Sequence, residues 1–199
     1  MRNRLTFFGR VTGLAVAMVM PLALSLLGGC AAVVLGGAVG GGALLAEDRR
    51  TVGTVTEDQG IEVKTSSRIG EKVSSAHINI TSFNRNVLLT GEVATAAARE
   101  DAERITRAVE HVRGVYNELQ VGPNTALSVR TNDAFITSKV KARFVDGQNF
   151  SPVHVKVITE NSVVFLMGLV KRAEADAATN VARTTGGVQK VVRLFEYLD

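Results

Sequence analysis

Asn86-Val87-Leu88-Leu89-Thr90-Gly91-Glu92-Val93 is met again 77 residues later as Val163-Val164-Phe165-Leu166-Met167-Gly168-Leu169-Val170. Both stretches are apolar runs broken at the same place by a glycine, and self-similarity at a long fixed period marks a duplicated structural unit. The match extends in both directions. His77-Ile78-Asn79-Ile80 pairs with His154-Val155-Lys156-Val157 at the same offset, and Val112 and Val115 pair with Val188 and Val191 at an offset of 76. Ile61, Thr65 and Ile69 pair with Ile136, Val140 and Phe144 at 75, a drift that small insertions between elements produce.

Each copy reads as helix, strand, strand, helix, strand. In the first, Ile78 and Ile80 alternate with polar neighbours, and a turn at Asn84-Arg85-Asn86 leads into Val87–Val93, which predicts an antiparallel hairpin. Ala98, Ala102, Ile105, Val109 and Val112 then follow a helical period, so this helix packs one face on the sheet. Val115, Leu119 and Val121 form the last strand, which a right-handed helical crossover returns parallel to a neighbour. The fold class is therefore α+β, with two tandem αββαβ units, each a small three-stranded mixed sheet packed on two helices. The expected bounds are residues 57–122 and 131–199, joined by a linker at 123–130 that opens with Gly122-Pro123-Asn124. Gly91 and Gly168 mark a bulge or a close backbone approach. His77 and His154, at equivalent strand starts, are read as sharing a structural hydrogen bond.

Ahead of the repeat, Arg2, Arg4 and Arg10 precede an uncharged run from Val11 to Leu27, the pattern of a secretory signal. The run ends in Leu27-Gly28-Gly29-Cys30, which resembles a bacterial lipobox, so residues 1–29 are the expected signal peptide and Cys30 the expected lipidation site. An uncleaved membrane-spanning helix is the competing reading, weakened by the glycines and Pro21 in the stretch. Residues 30–56, rich in Gly and Ala and then polar at Glu47-Asp48-Arg49-Arg50, read as a lipidated flexible tether. By resemblance to the sorting rule for such proteins, Ala31 after the cysteine, where Asp would retain the protein at the inner membrane, directs it to the outer membrane, lipid-anchored and facing the periplasm.

The chain carries 23 basic and 19 acidic residues, but three of the basic ones lie in the signal, and the remainder is nearly neutral. Export and this balance both count against nucleic-acid binding. With Cys30 as the sole cysteine, no intramolecular disulfide or multi-cysteine metal site can form. No catalytic motif, metal-ligand spacing or cofactor loop is present in the sequence, so neither an enzyme, a metal, a cofactor nor a small-molecule substrate is expected.

Paired αββαβ units behind a lipobox resemble the BON domain, and the chain resembles the dual-BON outer-membrane lipoproteins of Gram-negative bacteria. The residues that carry the resemblance are Leu88-Leu89-Thr90-Gly91, Leu166-Met167-Gly168-Leu169, Gly187-Val188-Gln189-Lys190-Val191 and Arg50-Thr51-Val52-Gly53-Thr54. His111 stands where the second copy has Gly187, so a different turn is expected there. The resemblance implies a second domain that binds anionic phospholipid through its first helix, in support of envelope integrity.

Charge agrees with that assignment. Glu57–Val121 holds 8 basic and 10 acidic residues, whereas Arg130–Asp199 holds 10 basic and 7 acidic. The second copy's first helix, expected over about Asn132–Val145, puts Ile136, Val140 and Phe144 on one stripe, with Phe135 about 140° away beside Lys139 and Arg143. Phe135, Lys139 and Arg143, with Lys141 and Arg130, are the candidate lipid contacts; packing of Phe135 against the first unit or the linker is the competing reading. The rival functional class is an envelope protein-interaction scaffold for which lipid is only the anchor. Val163–Met167 is apolar at every position, which predicts a strand covered on both faces and hence packing between the domains.

Overall fold

The computed structural model describes residues 47–73, 77–147 and 149–199; the signal segment, Cys30 and most of the tether lie outside them. Asp48–Asp199 is one compact unit. Its elements run α1 (Val52–Lys72), β1 (His77–Phe83), β2 (Asn86–Val93), α2 (Ala96–Arg107), β3 (Gly114–Asn117), β4 (Gln120–Val121), α3 (Leu127–Asp146), β5 (Val155–Glu160), β6 (Val163–Val170), α4 (Arg172–Arg183) and β7 (Lys190–Tyr197). This is the expected αββαβ order twice over. No helix among the described residues is long and apolar enough to cross a membrane.

The two copies share their register. Ile78 pairs with Gly91 in the first antiparallel hairpin and Val155 with Gly168 in the second. The glycines are there because a Cβ on Gly91 would stand 2.0 Å from the His77 carbonyl oxygen, and one on Gly168 2.5 Å from that of His154. Both hairpins turn through two left-handed residues, Asn84-Arg85 and Asn161-Ser162, as tight two-residue connections require. His111 and Gly187 are also both left-handed, so the two copies turn alike where a difference was expected.

Two local departures have physical reasons. The first sheet counts four strands rather than three, because its last edge is interrupted at Glu118-Leu119, where Leu119 is buried in the core. β3 and β4 are two pieces running parallel to β2, whereas β7 runs unbroken along β6. Both first helices begin earlier than expected: α1 starts at Val52, where the Thr51 hydroxyl accepts the Thr54 N–H, and α3 starts at Leu127, within the expected linker.

Alternation along β2 and β6 sends side chains to two different cores. Val87, Leu89 and Val93 meet Ile61, Ile69, Ala102 and Ile105 beneath the first pair of helices, and Val164, Leu166 and Val170 meet Ile136, Val140, Phe144 and Ala178 beneath the second. Leu88 points the other way and joins Phe83, Phe165 and Met167 in a third buried cluster. The two sheets thus pack face to face with helices outside, and the expectation of packing between domains is met.

Polar contacts close the seam around that cluster. Glu196 of β7 accepts from Asn84, Asn86 and Arg113 at 2.8–3.0 Å, and Lys156 of β5 donates to Glu62 and to the Ser82 carbonyl. The end of the expected tether is fixed rather than flexible. Arg49 binds both oxygens of Glu174 and the Leu169 carbonyl in the second domain, while Arg50 bonds Asp48 and Asp58 and lies 4.0 Å over the Phe83 ring. Arg49 holds the Glu174 carboxyl at about 2, because a bidentate guanidinium favours the charged form.

Candidate functional site

α3 presents its buried stripe, Asp133, Ile136, Val140 and Phe144, to the second sheet. The three apolar members are those the helical period assigned to the core. Asp133 was not foreseen: its two oxygens accept the N–H groups of Asn161 and Ser162 at 2.9 and 2.8 Å, so it fixes the left-handed hairpin turn. Asp58, 75 residues earlier on α1, does the same for Asn84 and Arg85 at 2.8 and 2.7 Å. The signal was in the sequence, since the two aspartates share the offset of Ile61 and Ile136. A search for apolar positions passes over an acid on a buried stripe.

The outer face of α3 is where the candidate residues lie. Phe135 is 62% exposed, Leu127 77% and Val145 72%. Between them stand Ser128, Thr131, Ala134, Ser138 and Ala142, all exposed and uncharged, and Asp146 closes the same face at the C-terminal end of the helix. At 100° per residue they form an arc about 120° wide. Lys139 and Arg143 border this arc on one side, Lys141 and Arg130 on the other. The helix thus has two weakly polar faces, one covered by the sheet and one open to solvent. Leu127 lies before the expected start of this helix at about Asn132, and Val145, at its expected end, shares the face of Phe135 only once the helix is seen to run from Leu127 to Asp146.

The cations differ in what they touch. The Lys139 ammonium sits 4.8 Å above the Phe135 ring and donates to the Gly186 carbonyl. Arg143 donates to the Val181 carbonyl and the Thr185 hydroxyl at 3.0 and 2.8 Å. Both therefore satisfy oxygens at and just beyond the C-terminus of α4, where carbonyls lack helical partners. Lys141 is exposed beside Val145 and makes no ion pair among the described residues. Arg130 is half-buried and turned into the domain seam, where it lines a cavity with His77 and Glu160. The structure sets Lys139 over Phe135, leaves Arg143 one turn further along the same border with its bonds to Val181 and Thr185, places Lys141 across the arc, and does not bring Arg130 to Phe135.

The chain matches the BON domain family model twice, over residues 57–123 and 132–199. It is 38% identical over 175 residues to the outer membrane lipoprotein DolP of Haemophilus influenzae, covering 86% of this chain and 90% of that one. The 21 kDa hemolysin of Actinobacillus pleuropneumoniae is 34% identical over 76% of this chain and 79% of its own length. The osmotically-inducible protein Y of Escherichia coli is 30% identical over 70% of this chain and 72% of its own length.

Proposed function

Because this chain belongs to the dual-BON outer-membrane lipoprotein family, we propose that it is a non-enzymatic lipoprotein of the outer membrane whose second domain binds anionic phospholipid through the outer face of α3. One observation carries the reading. Three large apolar side chains stand exposed on an arc whose sole charge is Asp146 at its C-terminal edge, with cations on both borders, the arrangement of a helix that lies in a membrane interface. Phe135, Leu127 and Val145 enter the headgroup boundary, while Lys139, Arg143 and Lys141 reach lipid phosphates. Each cation near an anionic surface contributes about 1 kcal/mol. Arg130 is held by the seam and belongs to the site only as its outermost charge.

The same reading makes Cys30 the acylated residue, places the folded unit on the periplasmic side and assigns the protein to the upkeep of the outer membrane. Two or three acyl chains on Cys30 hold the protein at the membrane, and the tethered unit then meets the bilayer at high effective concentration, so α3 needs only modest affinity of its own. The test is binding of the Asp48–Asp199 unit, which lacks the anchor, to phosphatidylglycerol and to phosphatidylcholine vesicles. Preference for the anionic vesicles, lost when Phe135 and Lys141 are replaced, supports the proposal. Equal indifference to both would leave the scaffold reading in its place.

A further inference from the structure

At the seam between the two domains, three groups distant in sequence converge. One ring nitrogen of His77 and one carboxylate oxygen each from Glu92 and Glu160 lie within 4.8 Å of one another. Strand register sets the first two opposite each other, with Nδ1 3.2 Å from Glu92 Oε2. Glu160 is brought from the other domain as the last residue of β5, where its Oε2 accepts from Asn79 at 2.8 Å. The duplication shows that the fold does not require this set. Leu169 occupies the position of Glu92 in the second copy, and Phe83 that of Glu160 in the first.

The charge at this point is out of balance. Glu92 is 3% exposed and Glu160 7%, and among the described residues Glu160 has no ion-pair partner. Arg130 and Lys156 line the same cavity, Arg130 outside ion-pair distance and Lys156 bonded to Glu62 instead, while Asp133, held by two turn amides, is a third buried acid there. Buried like charges of this kind call for a compensating cation. An imidazole with two carboxylates is a ligand set for zinc and its neighbours. The 3.2 Å between Nδ1 and Oε2 is near the roughly 3.4 Å that separates two ligands on a tetrahedral ion with bonds of about 2.1 Å, and the 4.8 Å spread of the whole set requires the side chains to close in by about an ångström on binding. Thr125 and Asn161 donate to Glu92 and orient it, as outer partners of a metal ligand do. A cavity of about 440 Å³ lined by His77, Glu160 and Arg130 gives access from solvent.

We propose that His77, Glu92 and Glu160 bind one divalent cation of the zinc class, which bridges the two domains and neutralises their buried carboxylates. The sequence reading expected no metal because none of the three spacings is a ligand motif. The experiment is calorimetric titration of the detergent-solubilised full chain with zinc sulfate, together with thermal melts. One ion per chain and a raised Tm are expected, with affinity about tenfold or more weaker in Glu160→Gln and His77→Asn and unchanged in His111→Asn. On the unaltered chain, cobalt(II) should give the intense visible bands of a four- or five-coordinate site. Absence of a single stoichiometric site, binding that survives Glu160→Gln, or only the faint pink of octahedral cobalt overturns the proposal.

Discussion

Removing the Phe135 ring separates a lipid contact from a packing residue. Full burial of a phenylalanine side chain is worth about 1.5–3 kcal/mol. With 62% of the residue exposed, insertion at the headgroup boundary offers about 1–2 kcal/mol of further burial. Phe135→Ala should therefore weaken binding of the Asp48–Asp199 unit to phosphatidylglycerol vesicles about 5- to 30-fold. Because the contribution is apolar, the loss should be the same at low and high salt. Lys141→Glu should act differently, weakening binding most at low salt, where surface charges are least screened. Lys141 is the cleaner charge probe because Lys139 and Arg143 also hold carbonyls at the end of α4, so reversing them would cost stability as well. The Tm of Phe135→Ala should stay within about 2 °C of the parent, since the ring covers no part of the core. Vesicle co-sedimentation across a salt series and a thermal melt measure both quantities. A Tm lowered by several degrees with unchanged vesicle binding would refute the reasoning and make Phe135 a packing residue.

Three further perturbations test the scaffold behind that surface. Asp58→Ala strips the acceptor from Ser82, from two turn amides and from Arg50, and should cost about 3–5 kcal/mol in urea unfolding, more than Asp133→Ala, which frees two amides. Phe165→Ala opens the buried cluster between the sheets and should cost about 3–5 kcal/mol; a loss under about 1 kcal/mol would mean that the sheets do not pack there in solution. The Arg49–Glu174 pair should show a coupling of about 1–2 kcal/mol in a double-mutant cycle at neutral pH. Glu174 is held near 2 against an ordinary 4.5, and a carboxyl lowered on folding stabilises above its unfolded value. The coupling should thus be complete above about pH 5, shrink as pH falls below 4.5 and vanish near 2; a pH-independent coupling would exclude an ionic origin.

The duplication was legible because the cores are built from local periods. Ile136, Val140 and Phe144 follow the helical repeat, and Ile80, Leu89 and Gly91 alternate as strands, so element type, order and register could be read from spacing alone. The same local logic gave the exposure of Phe135, a residue out of phase with its own stripe. The unbroken apolar run Val163–Met167 announced a covered outer face, but not that Phe83 and Leu88 cover it. Asp58 and Asp133 were within reach of the repeat and were passed over because they are polar. The strap of Arg49 on Glu174, the turn of Arg130 into the seam and the meeting of His77 and Glu92 with Glu160 had no such signal. Each joins residues from separate segments of the chain, a copy with the tether, the linker or the other copy, and nothing in the spacing within one copy encodes how it docks on its neighbours. Two folded units, and the face each turns inward, follow from spacing alone, since hydrophobic period is a local property. Which outward faces meet, and which charges they bury together, was decided only when the two sheets packed, since that choice belongs to the surfaces rather than to the chain.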